Sequence, residues 1–184
     1  MMMKEISLHV LDIIQNSISA GATRIEIGID VLHEEDIMRV SVADNGCGMT
    51  QERQRQVLDP FVTSRTSRKV GLGIPMFQAG AQSAGGTFSL QSEPGRGTRI
   101  DASYRISHLD RPPLGNMAET LYASILCNQE IDFIFVYTVD GNSFRANTRE
   151  IKAVLGNVSF HTPEVSLWLR EYFCEGIDAL NGGI

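Results

Sequence analysis

Ile6, Val10, Ile13, Ile14, Ser17 and Ile18 recur at helical spacing, which predicts an amphipathic helix over roughly residues 6–20. Its other face carries His9, Asp12, Asn16 and Ser19. Asp12 and Asn16 lie one turn apart and point the same way. Ala20-Gly21 supplies the stop. Asp and Asn compete for backbone hydrogen bonds inside a helix, so two of them on one face favour a role beyond solvation. Thr23 to Asp30 then alternates with its isoleucines on one side, and Met38 to Val42 alternates again after the polar turn His33-Glu34-Glu35-Asp36. These read as a hairpin of half-buried strands.

The second strand runs into Asp44-Asn45-Gly46-Cys47-Gly48-Met49. A strand fixes where the Asp sits, and its carboxylate can accept hydrogen bonds from an amine. Each glycine permits close backbone approach or positive φ, and Met49 suits a flat ring. A tight turn after a strand has the same pattern. Thr50 N-caps a short helix to about Leu58, and Asp59-Pro60 ends it. Residues 61–70 form a basic, hydroxyl-rich stretch with Arg65, Arg68 and Lys69, followed by Gly71-Leu72-Gly73 at a helix start. Cations beside the N–H groups of a helix N-terminus suit a polyphosphate. A solvated surface loop has the same composition. A small-residue helix follows over Pro75–Ala84, then strands at Phe88–Ser92 and Thr98–Ile106 joined by a turn.

Asp110-Arg111-Pro112-Pro113 reads as a linker. Beyond it, Asn116 and Glu119 form a capping-box start for a helix to about Cys127. Ile131–Thr138 is apolar on both faces and is expected to be covered on both. Asp140-Gly141 turns it into a hairpin. Asn147 and Glu150 cap another helix ending at Gly156, and Thr162-Pro163 start the last one. Val165, Trp168, Leu169, Tyr172, Phe173 and Ile177 give that helix a wide apolar stripe. Covering the hairpin is the favoured use of the stripe, ahead of docking a partner or a second copy. A lone hairpin is unstable, so it must pack on its own helices, on the preceding domain or on a second subunit.

Composition changes this picture little. The 184 residues are 42% hydrophobic and 21% charged, which fits one domain plus a small module. The formal charge is −6, and all but one of those net charges fall in residues 108–184. General nucleic-acid binding is therefore not expected. Cys47, Cys127 and Cys174 have neither disulfide-framework nor zinc spacing, which suits a reducing compartment. No apolar run is long enough for a membrane span. A cytoplasmic protein without a membrane partner is expected.

Four segments in order now bear on function: Asp12…Asn16 through Ala22, Asp44 through Met49, Gly71-Leu72-Gly73, and Gly95-Arg96-Gly97-Thr98. Over about residues 5–107 the chain resembles the GHKL superfamily. That group holds gyrase-type ATPases, ninety-kilodalton heat-shock chaperones, histidine kinases and mismatch-repair MutL proteins. The segments resemble its N, G1, G2 and G3 boxes. Gln15 through Thr23 looks most like the MutL version. The short basic stretch before Gly-Leu-Gly is more similar to anti-sigma-factor serine kinases and histidine kinases.

The resemblance implies an α+β fold: a two-layer α/β sandwich, the Bergerat ATP-binding fold, over residues 1–107. A linker at 108–113 and a C-terminal α/β extension at 114–184 follow. It implies ATP and Mg²⁺ as cofactors. Asp44 is expected to accept the adenine amino group. Gly46, Gly48 and Met49 form the wall against the base, and Thr98 supports the base-side hydrogen bonds. Ala20 leaves room beside the nucleotide, and Asn16 offers its amide oxygen to Mg²⁺. Gly71, Leu72 and Gly73 are expected to meet the phosphates, with Arg68 or Lys69 adding charge. Asp12 takes the place of the family's usual Glu, the general base. Its side chain is one methylene shorter, which points to slow or absent hydrolysis. His9 is a conceivable substitute, though the favoured reading is an ordinary surface or packing histidine.

No phosphoacceptor hairpin precedes the first helix, so an acceptor is expected on another protein. The expected activity is phosphotransfer or ATP-dependent regulation of a protein partner, with a homodimer possible. The alternative is a nucleotide-gated interaction module or weak ATPase. A stand-alone ATPase of DNA repair is the least favoured.

Overall fold

A computed structural model describes residues 5–59 and 73–181. The alternating segments pair as expected. β1 (Arg24–Leu32) and β2 (Ile37–Asp44) form an antiparallel hairpin, and so do β3 (Phe88–Glu93) and β4 (Gly97–Arg105). β4 also lies antiparallel to β2, with Thr98 opposite Asp44. The C-terminal hairpin, β5 (Asp132–Val139) and β6 (Asn142–Asn147), extends the same sheet. β5 runs parallel to β1, with Ile25 opposite Phe133, and the strand order is β3-β4-β2-β1-β5-β6. Of the three supports open to that hairpin, it takes the preceding sheet, and its own helices pack over it.

The helical layer is carried by α1 (Ile6–Ser19), α3 (Gly73–Ser83), α4 (Met117–Cys127) and α6 (Pro163–Asn181). Contacts run α3 to α1 to α4 to α6 across the sheet. Ile6, Val10, Ile13 and Ile14 from α1 meet Ile25, Ile27, Ile29, Val40 and Val42 from the central strands in one core. Leu169, Phe173 and Ile177 of α6 cover Phe133 and Phe135 of β5. Fully burying side chains of this size stabilises by about 1.5–3 kcal/mol each. The stripe on α6 therefore covers the hairpin, and only Trp168 at its edge stays substantially exposed.

One expectation needs correction, and one alternative is resolved. Among the described residues, helices cover β5 on one face only. Phe133, Phe135, Tyr137 and Val139 are buried, but Ile134, Val136 and Thr138 are half-buried. Val136 and Thr138 border an open groove on the sheet's other face with Gly28, Asp30 and Ser41. His9, expected as a surface or packing histidine, takes the packing role. It is buried and stacked on Phe77 of α3, with ring centroids 5.4 Å apart, because α3 packs along that side. Burial lowers its pKa, and its Nδ1 has no partner among the described residues. It is a packing histidine.

Local rules placed the helix starts. Thr50 accepts from Arg53 N–H ahead of α2 (Gln51–Leu58), and Asn116 accepts from Glu119 N–H ahead of α4. Asn147 does the same for Arg149 ahead of α5 (Thr148–Leu155). α5 closes the start of β5, where buried Thr148 accepts the Phe133 N–H at 2.8 Å. No helix among the described residues is long and apolar enough to cross a membrane.

Candidate functional site

The C-terminal end of β2 delivers Asp44 to the middle of α1. There the Ser17 hydroxyl donates to Asp44 Oδ2 at 2.7 Å, and the Gly46 N–H donates to Oδ1 at 2.8 Å. Both carboxylate oxygens are thus oriented, and each keeps a lone pair for a further donor. In front of them lies a cavity of about 270 Å³. Ile13, Ile74, Ile100, Val57 and Met49 give it apolar walls, while Asn16, Ser17, Asp44 and Thr98 supply the polar groups. An apolar slot with one fixed carboxylate fits a flat heterocycle bearing an amine.

The segment after Asp44 is held from several sides. Asn45 Oδ1 accepts the Thr23 and Arg24 N–H groups, both at 2.9 Å, and ties the segment to the start of β1. Cys47 N–H donates to the Ala20 carbonyl at 2.9 Å. Gly48 has φ +65°, and a Cβ there would collide with the Glu93 carbonyl, so the β3–β4 turn packs directly on it. Met49 N–H donates to Ser92 Oγ at 2.8 Å. Gln54 Nε2 reaches both the Met49 and Ser92 carbonyls. Ser92 Oγ lies 2.9 Å from both the Gly97 carbonyl and Thr98 Oγ1. This web makes the site's floor rigid before any ligand arrives.

Asn16, Ala20, Asp44, Gly48, Met49 and Thr98 therefore converge on one cavity. Gly46 does not line it. Its N–H braces Asp44, and a Cβ there would press on Ala20. Asp12 lies one turn before Asn16 on α1, half-buried against the start of α3. Burial raises its pKa, and a hydrogen bond from the Gly73 N–H opposes that shift. Asp12 Oδ2 is buried without a partner among the described residues. A Cβ on Gly73 would land on this carboxylate, so any side chain at this position would have to displace Asp12. Arg68, Lys69, Gly71 and Leu72 lie outside the described residues.

Sequence reasoning missed Ser17, Ser92, Gln54 and Arg53. Ser17 carried a signal: a hydroxyl within the apolar stripe of α1 must find a buried partner. Ser92 and Gln54 carried none, because their partners come from segments distant in the chain. Arg53 stands at the cavity rim through the placement of α2.

Residues 4–108, more than half of the chain, match the family model described as "Histidine kinase-, DNA gyrase B-, and HSP90-like ATPase". The signal transduction histidine-protein kinase AtoS of Escherichia coli strain K12 is 33% identical over 89 residues, covering 48% of this chain and 14% of AtoS. The sensor protein kinase FleS of Pseudomonas aeruginosa is 35% identical over 89 residues, covering 48% of this chain and 22% of FleS. The matched stretch thus spans under a quarter of either relative. Among solved structures, the N-terminal domain of a DNA repair protein superposes with TM-score 0.54 at 15% identity. That match covers 85% of this chain and 58% of the other, and it shows a shared fold. The segments on α1, after β2 and at the start of β4 meet at one cavity, and the chain belongs to the histidine kinase-, DNA gyrase B- and HSP90-like ATPase family.

Proposed function

We propose that the cavity in front of Asp44 binds ATP with Mg²⁺ and that the chain acts on a protein partner by phosphotransfer. The observation that carries this reading is the Asp44 carboxylate, oriented by Ser17 and Gly46 at the end of an apolar slot. A carboxylate there accepts the exocyclic amine of adenine and repels the carbonyl oxygen that guanine presents. Met49 and Gly48 flank the base, and Thr98, held by Ser92, supports the base-side hydrogen bonds. Asn16 is exposed at the cavity mouth, one turn from Asp12, and offers its amide oxygen to Mg²⁺. The N–H groups at the start of α3, with Gly71, Leu72, Arg68 and Lys69, receive the phosphates.

Bound ATP would supply its γ-phosphoryl group and leave as ADP, and Mg²⁺ held by Asn16 would offset the phosphate charge. Asp12 takes the proton of the attacking group, directly or through one water. Its raised pKa suits that task, since a base works best when its pKa approaches the working pH. Incubation with γ-labelled ATP and the proteins that co-purify with the full chain tests this. Label on a partner protein, lost in Asp12→Asn, is the expected result. Bound ATP with no label on any protein would overturn the phosphotransfer.

A second reading has its own support. The Asp12 carboxylate already takes the Gly73 N–H, so it links α1 to the start of α3. In that reading ATP changes the surface offered to a partner, and little chemistry follows. Asp12→Glu separates the two readings. A large gain in phosphate release favours a base held back by its length. An unchanged rate favours the link.

A further inference from the structure

The outer face of α6 carries charge that the fold does not use. Glu164, Trp168, Glu171, Glu175 and Asp178 follow at spacings of four, three, four and three, so they share one stripe of the helix. All five are exposed. None of the four carboxylates has an ion pair among the described residues. The one cation of α6, Arg170, is held by Glu119 of α4 at 2.9 Å. Beside the stripe, Ile151, Val154 and Leu155 of α5 form a groove with Trp168, of about 410 Å³, with Glu150 at its edge. Val154 is 88% exposed and Trp168 44%.

Trp168 is also held in place. It stacks on Tyr172 with centroids 5.2 Å apart and planes 18° apart, and Tyr172 packs on Phe144 at 5.1 Å. A fixed aromatic ring beside an apolar groove loses little entropy on binding and makes a good anchor. Packing of the fold explains Leu169, Phe173 and Ile177, which point into the core. It does not explain an uncovered indole bordered by carboxylates.

We propose that this groove docks an amphipathic helix of a partner protein, with apolar side chains on one face and lysines or arginines along its flank. Charge complementarity selects that occupant. Glu150 at the groove and the four carboxylates along the neighbouring stripe of α6 repel nucleic acid and anionic membrane. A second copy in two-fold pairing would set the acidic stripe against itself. The proposal stands apart from nucleotide binding, because none of these residues lines the Asp44 cavity.

Trp168 is the chain's single tryptophan, so its emission reports on the groove directly. The full chain is titrated with a helical leucine–lysine peptide and with its leucine–glutamate counterpart. The expected result is a blue shift and binding with the lysine peptide alone. Glu164→Lys, Glu171→Lys and Glu175→Lys together should weaken that binding by roughly tenfold or more while leaving the circular dichroism unchanged. Val154→Ser, at a position outside the core, should weaken it as well. Emission unmoved by both peptides, or moved equally by both, overturns the proposal. A dimer in sedimentation velocity that Val154→Ser dissolves would assign the groove to a second copy. A larger shift with phosphatidylserine vesicles than with the peptide would assign it to a membrane. Either result also overturns the proposal.

Discussion

Ser17 donates its hydroxyl proton to Asp44 Oδ2 at 2.7 Å and so joins the first helix to the end of the second strand. The two residues stand 27 positions apart in the chain. Ser17 also lies 3.1 Å from the Ile13 carbonyl, but it has one proton, and the charged acceptor is the stronger of the two. Ser17→Ala should leave the fold intact and release the carboxylate. A hydrogen bond to a charged group contributes about 1.5–3 kcal/mol, so Mg-ATP affinity should fall by roughly tenfold or more. Calorimetry on the variant checks this, and an unchanged affinity would show that Asp44 needs no support from α1.

Asp12 makes the stability of the protein depend on pH. Burial raises its pKa above the ordinary carboxylate value. The neutral form is thus favoured in the fold, and its contribution is complete at acid pH. That contribution is lost as pH rises through the raised pKa. Asp12→Asn keeps an oxygen for the Gly73 N–H and removes the buried charge. The variant should melt higher than the parent at pH 7, and the gap should close as pH falls toward the ordinary carboxylate range. Thermal melts across that span test the sign.

Gly73→Ala should strike the same carboxylate from the other side. The new methyl would occupy the space of the Asp12 carboxylate and push it off the start of α3. Loss of a general base lowers turnover by about 10²–10⁴-fold. Phosphate release from Gly73→Ala should therefore fall about as far as in Asp12→Asn, and the double variant should fall no further. Full activity in Gly73→Ala would contradict any catalytic part for this contact.

Much of this was legible in local pattern. The isoleucines of 25, 27 and 29 gave β1 its period, and Thr50, Asn116 and Asn147 marked helix starts that the fold keeps. Asp44 and Asn16 stand out in the residues themselves, while Thr98 is singled out only through the resemblance; the fold brings all three to one cavity. What local pattern does not carry is pairing between distant segments. Nothing within Ile131–Thr138 says that it lies parallel to β1, since that register depends on which neighbour the folded sheet offers. His9 shows the same limit. A helical wheel puts it beside Asp12, while α3, more than sixty residues later, decides that this side is covered. Ser92 is a plain strand serine until Met49 and Thr98 arrive beside it.

The parallel pairing carries its own prediction. Thr148 is buried and accepts the Phe133 N–H, so Thr148→Val keeps the shape and leaves a buried donor without an acceptor. The cost should be about 1–3 kcal/mol. Because β5 shares a sheet with β1, urea should unfold the whole chain at a lower midpoint in one transition. A separate early transition, with the N-terminal sheet still intact, would show that the C-terminal segment folds as a unit of its own.

Asp44 as the reader of an adenine base is tested by titration calorimetry of Mg-ATP into the full chain and into Asp44→Asn. The parent should bind ATP and reject GTP. Asp44→Asn offers an amide in place of one carboxylate oxygen and should lose most ATP affinity, by roughly a hundredfold for a charged hydrogen bond and a misplaced donor. A variant that binds ATP as well as the parent would contradict the assignment of this cavity to the base.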